Sequence, residues 1–135
     1  MQFKAARRPA DYQMNIYCPN EIESASAAST EVLVNFFTGC ERSRVEMRLD
    51  DGEWTILNQT TALDPECARM YKQSEALDEN SEERFGWKMD KPSPTPHMWK
   101  GPLPAHVAIG VHLVAVRATD RYGRVWTGQR LLRVR

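Results

Sequence analysis

The sequence has no long hydrophobic run, no surplus of either charge and only three histidines. Its longest apolar stretches, Val32–Val34 with Phe36 and Phe37, and Val107–Val116, are broken by Asn35, Gly110 and His112. A membrane-spanning helix needs roughly 18 or more consecutive apolar residues, so no membrane partner is expected. Eighteen Lys and Arg balance eighteen Asp and Glu. That balance excludes the overall basic footprint of a nucleic-acid binder and the excess charge that keeps a chain disordered. The start, Met1 to Pro9, lacks the apolar segment of a secretory signal. Cysteine is scarce as well. Cys18, Cys40 and Cys67 form no C-x-x-C pair, and an odd number cannot pair completely within one chain. They read as small buried or surface residues, or as one disulfide and a leftover thiol in an oxidising compartment.

Catalytic chemistry is equally thin. The seven glycines are scattered as turn residues and form no phosphate-cradling loop. His106 and His112 lie six positions apart with no third ligand in sight, whereas zinc wants three or four ligands. His97 follows Pro96 and reads as a loop residue, and His112 reads as a strand residue. The acidic run Asp78–Glu83 does not match the spacing of a calcium loop. Asn58-Gln59-Thr60 is a sequon of the kind that arises by chance. No catalytic residue, metal ligand or cofactor is therefore assigned.

What the chain does have is strand periodicity and turn chemistry. Its 135 residues suffice for one domain, which buries about two-thirds of the surface of the unfolded chain. Val32, Val34 and Phe36 alternate with Leu33, Asn35 and Phe37, and Val45, Met47 and Leu49 alternate with Glu46, Arg48 and Asp50. Asp51-Gly52 then marks a hairpin into Glu53–Leu57. Val111–Thr119 and Arg124–Arg135 form a second hairpin around Asp120-Arg121-Tyr122-Gly123. Its face His112, Val114, Val116 and Ala118 is expected to point inward, against Leu132 and Val134, leaving Arg117, Arg133 and Arg135 wet. A first strand is expected at Tyr12–Cys18, with the Ser- and Ala-rich segment Glu23–Thr30 as a connection. Asp64-Pro65 starts a helix that is expected to end near Leu77. The prolines of Asp90–Pro96 argue against a central strand. An all-β frame thus carries one long insertion, about Asn58 to Ala105, pinned by Trp87 and Trp99.

Short strands and regular turns suggest an immunoglobulin-like antiparallel β-sandwich with a long insertion that contains one short helix. Further segments stand beside the hairpins: Pro9-Ala10-Asp11-Tyr12-Gln13-Met14-Asn15, His97-Met98-Trp99-Lys100-Gly101-Pro102-Leu103-Pro104, and Ala118-Thr119-Asp120-Arg121-Tyr122-Gly123. Together they resemble the C-terminal domain of bacterial calcineurin-like metallophosphoesterases, from about Pro9 to Arg135. The resemblance implies a preceding catalytic metallophosphoesterase domain in the same polypeptide. It implies that residues 1–11 are a linker from that domain, that 12–135 form the sandwich, and that Met1 is a boundary and not a natural start. It also implies a periplasmic or extracellular parent. Such enzymes hold two metals through D-x-H, G-D-x-x-D, G-N-H-[ED] and G-H-x-H motifs, because paired cations activate water and neutralise phosphoryl oxygens. None of these motifs occurs here.

The expected role is a non-catalytic accessory domain packed on the catalytic domain. Its docking surface is expected around Tyr12, Met14, His97, Met98, Trp99 and Leu103, an apolar cluster on a Pro-rich segment. The alternative is a freestanding glycan- or peptide-binding module that uses exposed tryptophans among Trp54, Trp87, Trp99 and Trp126. Against it stands the ordinary use of such residues: Trp54 and Trp126 filling the sandwich, with Trp87 and Trp99 pinning the insertion.

Overall fold

Alternation of apolar and polar side chains builds two sheets that close on one another. The structure, a computed structural model, describes residues 7–80 and 90–135. The strands are β1 (Met14–Tyr17), β2 (Glu21–Ile22), β3 (Glu31–Phe36), β4 (Arg44–Leu49), β5 (Thr55–Ile56), β6 (Asn58–Ala62), β7 (Thr95–Pro102), β8 (Gly110–Thr119) and β9 (Val125–Val134), with one α-helix, α1 (Pro65–Asn80). The first sheet has the order β1-β3-β7-β6 and the second β2-β9-β8-β4-β5. All pairs are antiparallel except β2 with β9. The mostly-β sandwich with one helix expected from the sequence is the fold the chain adopts.

The core lies between the sheets. Met14, Ile16, Val32, Val34, Phe36 and Trp99 of the first sheet meet Val45, Met47, Val114, Val116, Ala118, Leu132 and Val134 of the second. The inward face of β8 is as the alternation implies, and His112 sits on it at the open end, opposite Leu132. The expected turns form too. Gly123 has φ 82°, and the Asp120 carboxylate accepts the N–H groups of Tyr122 and Arg124, both at 2.9 Å. The Asp51-Gly52 hairpin joins β4 to β5.

Four expectations are corrected. First, the stretch read as an insertion supplies two strands of the first sheet, and β7 is central, between β3 and β6. Its prolines are placed where they do no harm. Pro102 is the last residue of the strand, and Pro96 falls where the β6–β7 register shifts between Thr60 and Ala62. A bulge interrupts the ladder, so the missing N–H is not needed there. Second, α1 runs to Asn80 and not to Leu77. Its Cys67 and Met70 face solvent. Third, the Ser- and Ala-rich connection is a short 3-10 helix, Ser24–Ser29. It follows β2, a two-residue strand too short to announce itself by alternation. Fourth, Trp54 does not fill the sandwich. It lies over Arg48 and Arg117, whose guanidinium carbons are 4.7 and 4.3 Å from the ring centroid. Trp87 lies outside the described residues.

His112 is more than a core histidine. Its Nδ1 is 2.6 Å from Oδ2 of Asp50, and its Nε2 is 2.7 Å from the Ala108 carbonyl oxygen. Both neighbours accept, so the ring is best satisfied with a proton on each nitrogen. The Asp50 contact, then the Ala108 carbonyl, raise the His112 pKa against a smaller effect of burial. The same contact, helped by the Leu113 N–H, lowers that of Asp50. Asp50 has φ 52°, a conformation Asn also tolerates.

Three outcomes follow from this packing. A Cβ on Gly39 would lie 2.2 Å from Cη2 of the Trp99 indole, a ring only 3% exposed. Gly39→Ala should therefore cost about 1–3 kcal/mol in urea unfolding, while the exposed neighbouring change Thr38→Ala stays near zero. Gly123→Val should lower the midpoint more than Arg121→Ala, because a β-branched side chain is penalised at positive φ. Asp50→Asn tests the His112 pair. A raised histidine pKa contributes stability fully below the unfolded value of about 6.5 and loses it as pH rises through the folded value. The lowered Asp50 contributes above its unfolded value and is lost only as pH falls through the folded one. The difference in melting temperature between wild type and Asp50→Asn should be largest near about pH 6 and shrink by about pH 9.

Candidate functional site

The six residues expected to form a docking surface are mostly spent on the domain's own core. Met14, Trp99 and Leu103 belong to the core cluster, and Trp99 is 3% exposed. The Trp99 ring is tilted against Phe36, with centroids 6.1 Å apart. Met98 is fully buried and points the other way from Trp99, opposite Asn35 in the β3–β7 register. Alternation in the central strand β7 turns Trp99 into the core, while Lys100 on the Met98 side is exposed. Tyr12 is half-buried beside Phe37 and beneath Arg8. His97 is exposed, with Nδ1 2.6 Å from the Gly39 carbonyl oxygen. Among the described residues, the tryptophans do not form an open binding face either. Trp54 and Trp126 are half-buried, and Trp126 packs against the core, 5.9 Å from Phe36.

A polar constellation centred on Asp64 lies on the outer face of the first sheet. Asp64 is 7% exposed and caps α1. Its Oδ1 accepts the N–H groups of Glu66 at 2.9 Å and Cys67 at 3.0 Å, satisfying two of the donors that every helix start leaves open. From the sheet, the hydroxyl of Tyr17 donates to the same carboxylate at 2.9 Å and Nδ2 of Asn35 donates to Oδ2 at 2.7 Å. Residues 47 and 29 positions away thus hold the helix start. The Asp64-Pro65 pair announced the cap. Nothing local marked Tyr17 or Asn35, whose role comes only from the outward positions they hold on β1 and β3.

Open clefts flank this tie. One, of about 380 Å³, is lined by residues that include Arg8, Tyr12, Asn15, Tyr17, Glu66 and Arg130. The other, of about 370 Å³, lies on the Asn35 side and includes Phe37, Cys67, Thr95 and His97.

The chemistry of the tie is that of an anchor. Burial pushes the Asp64 carboxyl up, but the bonds from Asn35, the Cys67 N–H, Tyr17 and the Glu66 N–H outweigh it and hold the pKa below the usual value. Burial first, then the hydrogen bond to Asp64 and its charge, drive the Tyr17 phenol well above its ordinary range. Tyr17 keeps its proton and Asp64 lacks one, and neither changes state near neutral pH. Cys18, Cys40 and Cys67 are free thiols. Among the described residues, no three His, Cys, Asp or Glu side chains gather as a metal site, and no helix is long and apolar enough to cross a membrane.

Asp64→Ala should cost about 2–4 kcal/mol, the sum of a lost cap and stranded buried donors. Tyr17→Phe should cost about 1 kcal/mol. Because the Asp64 pKa is lowered on folding, its contribution exists above the unfolded value and disappears as pH falls through the folded one. Acid melts should therefore narrow the gap between wild type and Asp64→Asn, and an unchanged gap would show that the carboxylate charge is not what Asn35 and Tyr17 hold.

A search of curated proteins gives no match. Among solved structures, CopC from Methylosinus trichosporium OB3b matches with a TM-score of 0.43 at 12% identity, over 89% of this chain and 88% of that one. The family model for the C terminal of calcineurin-like phosphoesterase matches residues 1–126. That span takes in β1 to β8, the Asp64 tie and the Asp120–Gly123 turn, and the chain belongs to this family of phosphoesterase C-terminal domains.

Proposed function

We propose that the chain is a non-catalytic accessory domain that packs on the catalytic metallophosphoesterase domain of its own polypeptide. Residues 1–11 serve as the linker and 12–135 as the domain. The observation that carries this reading is the family match across residues 1–126 in a sequence with none of the four metal-binding motifs. Phosphoester hydrolysis of this kind rests on two cations a few Å apart, roughly 3.5–4 Å, which activate water and stabilise both attacking and leaving oxygens. The ligands for them belong to the catalytic domain. By the same family reading the parent works in the periplasm or outside the cell.

What this chain contributes is shape. A sandwich with its own core, and an anchored helix on one side, offers a rigid body that can frame a neighbour. The isolated chain should show no metal-dependent turnover of a chromogenic phosphomonoester or phosphodiester with Mn²⁺ or Zn²⁺, and the parent polypeptide should. Turnover that co-purifies with the isolated chain and is lost in His97→Ala or His112→Ala would overturn the reading.

A further inference from the structure

The outer face of the second sheet departs from the usual pattern. An antiparallel sheet with one wet face ordinarily presents polar side chains there. On β8 the outward positions begin Val111, Leu113 and Ala115, and Leu131 of β9 stands opposite Leu113. Val111 is 66% and Leu131 65% exposed, and Ile109, just ahead of β8, is 76% exposed. Single exposed apolar residues are ordinary, but a contiguous set on a flat sheet marks a contact surface. The outer face of the first sheet is already occupied in part by the start of α1, tied down through Asp64.

Charge and size narrow the occupant. Across β2, β9, β8 and β4 the outward side chains include Arg44, Arg48, Arg117 and Arg133. Of the outward carboxylates, Glu46 is taken by Arg44 and Arg117, and Glu21 by Arg135. Arg48 and Arg133 have no carboxylate partner among the described residues. Arg133 lies opposite Val111 and Arg48, whose guanidinium lies against Trp54, opposite Ala115, so cations without a carboxylate partner border the apolar patch in a chain whose net charge is zero. Two ten-residue strands and their neighbour β4 present on the order of 500 Å² of face at ~3.4 Å per residue and ~4.8 Å per strand. Interfaces between domains of one chain bury about 600–1,500 Å² over both sides, which one such face supplies.

We propose that this face, centred on Val111, Leu113 and Leu131 and bordered by Arg48 and Arg133, is where the domain packs on its catalytic domain, against an apolar patch with an acidic rim. The proposal rests on the accessory-domain reading and names its surface. Hydroxyl-radical footprinting with mass spectrometry tests it, comparing the parent polypeptide with the 135-residue chain alone. In the parent, oxidation of Val111, Leu113 and Leu131 should fall several-fold, with Leu63 and Met70 unchanged. Leu131→Glu should restore oxidation of Val111 in the parent and leave the melting temperature of the isolated chain unaltered, because that side chain is exposed. Protection at Leu63 and Met70 with Val111 and Leu131 open would overturn this surface and keep the accessory reading. Identical footprints in both proteins would overturn both. Concentration-dependent protection of Val111 and Leu131 in the isolated chain, as strong as in the parent, would assign the face to a second copy and overturn the proposal.

Discussion

The sandwich depends on how closely its two sheets approach at Phe36. That ring is fully buried and stands between two indoles, Trp99 at 6.1 Å in its own sheet and Trp126 at 5.9 Å in the opposite one. Large aromatic side chains contribute heavily to a core but demand a matching void. Here the void is made by glycines. Gly39 lies against the Trp99 indole, and Gly128 admits the ends of Met14 and Ile16. Side chains of the first sheet thereby reach the backbone of the second, and the tilted ring pairs pack without a gap. The central position of β7 follows from this, since only a strand inside the sheet can deliver Trp99 to the middle of the core.

A second constraint turns a long excursion of the chain into part of the domain. Between β6 and β7 the backbone leaves the sheet and forms α1, whose exposed Cys67 and Met70 give it little apolar hold. Helices of this length usually rely on a buried apolar stripe. This one also has a carboxylate at its first turn. Asp64 meets the helix start and two strands at once, so the position of α1 is set by hydrogen bonds at its first turn. Such polar ties specify geometry through direction, where apolar contacts would allow sliding.

How much of this was legible in the sequence divides along one line. Features whose cause is local were readable: the Asp51-Gly52 hairpin, the Asp64-Pro65 cap, the Asp120–Gly123 turn and the inward face of β8. Each depends on dihedral preferences or alternation within a few residues. Features whose cause lies far along the chain were not. Pro96 and Pro102 argued against a central strand, and only the register with β6 and β3 shows that one falls at a bulge and the other at the end. The segment around Trp99 looked like surface because its partners, Gly39, Phe36 and Val34, are some sixty residues away, a distance that periodicity does not cross. Of the candidate docking residues, Met14, Met98, Trp99 and Leu103 are buried within the domain, while Tyr12 is half-buried and His97 exposed. The better candidates, Val111, Leu113 and Leu131, sit in the strands that were easiest to read, on the face that alternation assigns to solvent.

The one parallel pairing has a consequence for how the protein is made. Glu21 and Ile22 lie beside Arg133 and Val134, and the N–H of Ser24 reaches the carbonyl of Arg135. Among the described residues, an edge strand near the beginning of the domain thus finds its only sheet partner in β9, synthesised after all its other strands. At roughly 5–20 residues per second on the ribosome, the early segment waits for several seconds with its backbone groups unpaired. Topologies that join distant segments also fold slowly once complete, because loop closure comes before the contacts that reward it. Until β9 arrives between β8 and β2, the second sheet consists of β5, β4 and β8 alone.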